Sequence, residues 1–262
     1  EVVWETTPRA KPEAIEGLDL ECDFNFLMVS QISPRKNFKK SIRWWVEEFI
    51  DQEVGLIVKT NTVGNSIMDK HITNQHLKKI LREYPERKCK IYLLHGDLSE
   101  GQMTHLYTHD KIKALVYIMS NYKKQRNDKI KGMINIAHGE GFGLPMFEAA
   151  REGLPIITIG WSGQMDFLTH NGKNYYQKVK YSLGPVQSKA HWEGVIQPDS
   201  MWAFADGGSY KMVLRKVTKE YDRVKQTANE LKEIIQEKFS DEFLYDNFCK
   251  QVYGEQPVQD EE

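Results

Sequence analysis

His138-Gly139-Glu140-Gly141-Phe142-Gly143-Leu144-Pro145-Met146-Phe147-Glu148 puts two carboxylates, three glycines and a helix start into one segment. The apolar run Met133 to Ala137 leads into it and reads as a buried strand. Pro145 suits the first position of a helix, where a missing N–H costs nothing. Gly153 closes that helix and Pro155 opens the next strand. The order is strand, glycine-rich loop, helix, which leaves an anion-binding helix N-terminus open to close approach by a ligand.

The two glutamates differ by position. Glu140 lies in the loop, and Glu148 lies about one turn inside the helix. Helical side chains lean toward the N-terminus, so the Glu148 carboxylate reaches back toward whatever covers the loop. Amides of Phe142, Gly143 and Leu144 offer donors to anionic oxygens, while the carboxylates accept from hydroxyls. A ligand with phosphates and vicinal hydroxyls satisfies both, as a sugar nucleotide does.

Working outward, the chain alternates buried strands with amphipathic helices. Phe24 to Ser30 (FNFLMVS), Gly55 to Thr60 (GLIVKT), Cys89 to Leu94 (CKIYLL) and Pro155 to Ile159 (PIITI) are continuous apolar runs of the parallel-sheet kind. Between the first two, Ile42, Trp45, Val46, Phe49 and Ile50 share one helical face. Residues 66 to 82 read as a helix, and Ser99 with Gln102 forms a capping-box pattern before a short helix through Leu106 and Tyr107. This alternation predicts an α/β fold, a Rossmann-like parallel sheet covered by helices on both faces. Its ligand site is expected at the carboxyl ends of the strands, where SPRKN, the loop after GLIVKT, His95-Gly96 and HGEGFG should converge.

The remainder divides less evenly. Asp110 to Ile118 resembles Asp128 to Ile136, a near-repeat read as a local duplication whose second copy is the in-sheet strand. Residues 171 to 198 show few clear periods, Tyr210 to Phe239 reads as one long amphipathic helix, and a last helix runs to about Tyr253. The expected domains are a linker or remnant over residues 1–22, a nucleotide-sugar-binding domain over 23–240, and a C-terminal helix with polar tail over 241–262. The aromatics from Trp192 to Trp202 are expected to be exposed.

Composition narrows the classes. A formal net charge of −1 over 262 residues argues against a nucleic-acid binder driven by bulk charge, and no apolar run reaches the length of a membrane span. The start, EVVWETTPRAKP, is polar and reads as a cut inside a longer chain rather than a signal peptide. Cys22, Cys89 and Cys249 lie far apart without CxxC spacing, as expected of reduced residues in a cytoplasmic protein. No His/Cys pattern has zinc-like spacing, so no metal is expected.

Glu140 and Glu148 enclose seven residues, and HGEGFGLPMFEAAREGLPIITIGWSGQMDFL resembles the E-x7-E region of retaining, nucleotide-sugar-dependent glycosyltransferases of the GT-B fold. The resemblance runs from about Phe24 to Val252 and implies the C-terminal, donor-binding domain of such an enzyme. It implies a UDP- or GDP-sugar as donor substrate, no separate cofactor, and transfer to a hydroxyl of a sugar or glycan acceptor. In this family the acceptor normally binds in an N-terminal domain, supplied in cis or in trans, and the last helix returns to cover that domain. The chain alone is therefore expected to bind donor yet transfer poorly.

The resemblance also distributes roles. Arg35 and Lys36 would hold the donor diphosphate, neutralising the charge that grows on the leaving group. Many relatives carry a further Arg directly after the strand, where this chain has Gln31. Glu148 would accept from the ribose hydroxyls, and Glu140 would touch the transferred sugar or support the loop, a general-base role being the lesser reading. Gly141, Phe142, Gly143 and Leu144 would line the donor, with Gly163 small enough to admit it. Lys59 either contacts the nucleotide or faces solvent. His95 and Gly96 border the base or not, His138 braces the loop, and Asp166 lies near the sugar or caps a turn. Two other readings remain open: a sugar-nucleotide module active only with a separate N-terminal domain, and a GT-B-fold nucleotide-sugar epimerase.

Overall fold

The computed structural model describes residues 10–108 and 130–254. The first copy of the near-repeat, the start of the second copy and both chain ends lie outside them. Six strands form one parallel sheet: β1 (Phe24–Val29), β2 (Val54–Thr60), β3 (Lys90–His95), β4 (Ile130–Asn135), β5 (Ile156–Ile159) and a later edge strand. A small antiparallel pair, β6 (Thr169–His170) and β7 (Lys173–Asn174), precedes that edge strand, β8 (Gln177–Val179). The order across the sheet is β3-β2-β1-β4-β5-β8. An antiparallel ribbon of β9 (Tyr181–Pro185) and β10 (Met201–Ala205) completes the strands among the described residues.

Apolar strand runs of this kind need cover on both faces, and the helices supply it. On one face α1 (Phe38–Phe49) seats Ile42, Trp45, Val46 and Phe49 against Phe26, Leu56 and Val58. Each such side chain contributes about 1.5–3 kcal/mol by leaving water. Following it are α2 (Ile67–Leu81), α3 (Glu100–Tyr107) and α4 (Leu144–Arg151). The Ser99–Gln102 capping box forms at the start of α3. On the other face α3 and α4 bring Leu106, Tyr107, Met146 and Phe147 onto Leu27, Ile57 and Met133. A one-turn helix α5 (Met165–Leu168) follows β5.

The expected long helix from Tyr210 to Phe239 is two: α6 (Gly207–Lys219) and α7 (Tyr221–Lys238). Glu220, at φ −115° and ψ 34°, breaks the register. The break lets α6 pack beside α1 while α7 crosses to α4, two faces that one straight helix cannot serve. The last helix, α8 (Asp241–Tyr253), buries no residue and presents Phe243, Tyr245, Phe248 and Tyr253 to solvent. At the other end, residues 10–22 form neither helix nor strand, yet Leu20 and Cys22 are buried against the sheet. Among the described residues no helix is long and apolar enough to cross a membrane.

Strand order sets the site. From β1 the chain adds β2 and β3 on one side, then returns to β4 and adds β5 and β8 on the other. The loops after β1 and β4 therefore leave the sheet in opposite directions and open a crevice at the carboxyl edge.

Candidate active site

Two loops flank that crevice. After β1 the chain turns at Ser33–Asn37, and after β4 it runs through His138–Gly143 into α4. They are tied by backbone, the His138 N–H donating to Arg35 O at 2.8 Å, and by side chains. Lys36 Nζ lies 2.6 Å from both Glu140 carboxylate oxygens, and Arg35 Nη1 lies 3.0 Å from Oε2 and also donates to Gly139 O. Asn135, in β4, donates to Glu140 Oε1 at 3.0 Å. The Glu140 backbone is clamped as well: Ser162 Oγ donates to its carbonyl at 2.6 Å and accepts from its amide at 3.1 Å.

The two glutamates end in opposite electrostatic states. Burial pushes the Glu140 carboxyl up, but the Lys36 charge and the bonds from Lys36, Asn135 and Arg35 outweigh it, so the group sits below the ordinary glutamate range. Glu148 is half-buried, makes no ion pair among the described residues, and has the Tyr107 hydroxyl as its hydrogen-bonding neighbour. Burial pushes it up, and the neighbouring Tyr107 phenol, Arg151 and Lys59 only partly offset this. Tyr107, at the end of α3, is itself 2% exposed, and its hydroxyl faces the Glu148 carboxylate. A carboxylate with a bonded neighbour on every side is structural; one left open at a cleft is ready to accept from a ligand.

The helix start is equally unspent. Gly143 takes φ +89° as the N-terminal flank of α4, a conformation that favours glycine, and no side chain caps the helix. The amides of Gly141, Gly143 and Leu144 bond to nothing among the described residues. Pro145 occupies the second helical position rather than the first, which leaves the Leu144 amide as a donor. Phe142 turns its ring back onto Phe147 and Phe167, so its side chain belongs to the core.

Gly163 corrects the reason expected for it. A Cβ there would stand 1.7 Å from Gly141 O, so the missing side chain admits the glycine loop's own backbone rather than a ligand. Its N–H donates to Glu140 O at 3.1 Å, helping to set the loop. Gly141, by contrast, faces open space.

Other positions separate into near and far. Lys59, half-buried at the end of β2, lies on the Glu148 side of the crevice. His95 pairs with Asp69 at 2.8 Å, and Asp69 also accepts from the Thr62 and Val63 amides. This pair pins the loop after β2, with Gly96 at φ +93° turning the chain away. His138 does brace the loop: its Nδ1 lies 2.8 Å from Ala203 O and its ring stacks on Trp202 at 5.3 Å. Trp202 is therefore buried, contrary to expectation, whereas Trp192 is exposed. Asp166 is exposed in α5.

Asn135 and Tyr107 were not among the expected site residues. Asn135 had a legible signal, a polar side chain in a buried strand that must find a partner. Tyr107 had none, because its partner lies on another helix far along the chain.

No protein-family model matches this sequence, and no curated protein does. Solved structures do share its fold. Sucrose-phosphate synthase from Thermosynechococcus elongatus superposes with a TM-score of 0.56 at 14% identity, over 90% of this chain and 47% of that one. HepE from Anabaena, crystallised with UDP and glucose, gives 0.55 at 11%, over 88% and 48%. The C-terminal domain of LpcC, a group 1 glycosyl transferase from Francisella tularensis, gives 0.50 at 12%, over 83% and 87%. The sheet with its helices is thus the Rossmann-like architecture found in GT-B glycosyltransferases, and the chain spans about half the length of the first two.

Proposed function

We propose that this chain is the C-terminal, donor-binding part of a retaining glycosyltransferase that uses a UDP- or GDP-sugar. The observation that carries the reading is the open Glu148 carboxylate beside the uncapped start of α4, at the crevice where the strand order reverses. Hydroxyl acceptor and anion donors stand side by side there, which is the recognition chemistry of a nucleoside diphosphate.

In this reading the diphosphate lies over the free amides of Gly143 and Leu144, within reach of Lys36 and Arg35. The ribose hydroxyls donate to Glu148, and Lys59 adds positive charge on that side. As the glycosidic bond breaks, the leaving diphosphate gains charge, and Lys36 moves part of its hydrogen bonding from Glu140 to a phosphate oxygen. Glu140 holds Lys36 in place. With both oxygens occupied and its basicity lowered, it is a weak candidate for removing a proton. The acceptor, a sugar or glycan hydroxyl, is supplied from an N-terminal domain in cis or in trans. The superposition with a separate C-terminal domain over 87% of its length supports that division.

The test is calorimetric titration with UDP, GDP and their sugars, beside a Glu148→Ala variant. Binding of one nucleotide that the variant loses supports the reading and names the base. Absence of nucleotide binding at millimolar concentration overturns it for this chain. Conversion of the donor sugar without any acceptor would point instead to an epimerase.

A further inference from the structure

The loop after β1 sends its residues two ways. Arg35 and Lys36 reach Glu140, while Ser33, Pro34 and Asn37 line a separate cavity of about 400 Å³ between the start of α1 and α2. Its charged rim is Lys39 and Lys40 from α1 with His76 and Lys79 from α2, and among the described residues no carboxylate lines it. Lys39 and Lys79 make no ion pair among the described residues, and Lys40 only lies over the Trp44 ring at 5.7 Å.

Two further features turn toward a ligand. Asn37, at φ 51°, precedes α1 without capping it, because its side chain donates to Ile136 O instead. The amides of Phe38, Lys39 and Lys40 therefore have no acceptor among the described residues, and no acidic residue occupies the first turn. The second feature is independent of the helix. His138, 3% exposed, lines the cavity together with Lys40. Its Nδ1 faces a carbonyl and so carries the proton, which leaves Nε2 a lone pair with no partner among the described residues. A cation-rimmed cavity with a buried hydrogen-bond acceptor calls for a ligand that is anionic at one end and hydroxylated at the other.

We propose that this cavity binds a phosphorylated sugar, its phosphate over the start of α1 between Lys39, Lys40 and Lys79, and a sugar hydroxyl donating to His138 Nε2. The volume exceeds that of a lone phosphate and falls in the ~300–1,000 Å³ range of small-molecule sites. Ile32, Phe38 and Ile80 offer apolar wall to the C–H face of a sugar ring, and Ser33 and Gln187 offer further polar groups. The site is distinct from the Glu140–Glu148 crevice and does not depend on the transferase reading.

The experiment is calorimetric titration of the whole chain with glucose 6-phosphate, glucose and inorganic phosphate, with and without saturating UDP. A Lys39→Ala/Lys79→Ala variant is titrated in parallel. Expected is binding of glucose 6-phosphate at least tenfold tighter than of either fragment, unchanged by UDP. The variant should weaken it by about tenfold or more, each lost charge-assisted contact contributing to that factor. Both lysines are exposed, so the variant should fold, and an unchanged circular dichroism spectrum checks this. No binding, equal binding of inorganic phosphate, displacement by UDP, or indifference to the lysines would each overturn the proposal. Failure of UDP to bind would bear on the transferase reading alone.

Discussion

Lys36 Nζ stands 2.6 Å from both carboxylate oxygens of Glu140, across the crevice between the loops that follow β1 and β4. The contact spans 104 positions of sequence and closes the point at which the sheet changes direction. It holds a cation at the mouth of the crevice before any ligand arrives, which is the kind of preorganisation an anion site needs.

Glu140→Gln should destabilise the fold by about 1.5–3 kcal/mol, the usual worth of hydrogen bonds to a charged group, since Lys36, Arg35 and Asn135 all lose an ionised partner. Because the folded carboxyl lies below the ordinary value of 4.5, its contribution is present above that pH and lost as pH falls through the folded value. Urea denaturation of both proteins from pH 7 to pH 3 checks this. The gap between them should narrow toward the acid end, and a gap that stays constant would contradict the ion pair.

Glu148→Gln should behave in the opposite way. Its neighbouring donor is the Tyr107 hydroxyl, and burial raises its pKa in spite of it, so the ionised form is the one the fold disfavours. The raised value favours the folded state at low pH, and this advantage disappears as pH rises through the folded pKa. Melting temperature at pH 7 should therefore hold or rise slightly in the variant, while nucleotide affinity falls by tenfold or more. Equal loss of stability and affinity would show that Glu148 is structural.

Tyr107→Phe separates fold from ligand at the same place. Removing a buried hydroxyl whose neighbour is the Glu148 carboxylate should cost about 1 kcal/mol or less. If the hydroxyl closes onto Glu148 when ribose arrives, nucleotide affinity should drop about three- to tenfold with no further drop in a Glu148→Gln background. Additive losses in that double-mutant cycle would disprove the coupling.

Two glycines of the site should respond differently to a methyl group. Gly163→Ala drives a Cβ into the Gly141 carbonyl and should cost about 1–3 kcal/mol or more, with loss of nucleotide binding as the loop shifts. Gly141→Ala meets nothing within 4 Å and should leave melting within about 0.5 kcal/mol of the parent. Thermal melts of the pair decide it, and equal destabilisation would refute the packing account.

Asp69→Asn should loosen the loop after β2. Burial alone would push the Asp69 carboxyl up, but the bonds from His95 and the Thr62 and Val63 amides bring it down to about 2. Its contribution is present above the ordinary value of 3.8 and lost as pH falls toward 2. Hydrogen exchange of the Thr62 and Val63 amides should be faster in the variant at pH 7, and unchanged exchange would refute the bond.

The alternation of apolar runs and amphipathic faces, the glycine at the α4 start and the Ser99–Gln102 cap were all legible because each depends on neighbours a few residues apart. The break at Glu220 was not, since Tyr210 to Phe239 keeps a helical pattern throughout. The break follows from what each half packs against, α1 for the first and α4 for the second. Likewise Trp202 was expected at the surface with Trp192, and only the stacking of His138 places it inside.

By itself the sequence determined the parallel sheet, the glycine loop entering a helix, and the placing of Arg35, Lys36 and Glu140 in loops after strands on one rim, with Glu148 in the helix that follows. Those properties follow from backbone period, turn chemistry and the polarity of short runs. Tertiary structure alone decided that Glu140 is consumed by Lys36, Arg35 and Asn135 while Glu148 stays open beside Tyr107. It also decided that Gly163 yields to the Gly141 carbonyl rather than to a ligand. The state of a carboxylate depends on which charges and donors lie within a few ångströms, and those come from residues that only the fold brings together.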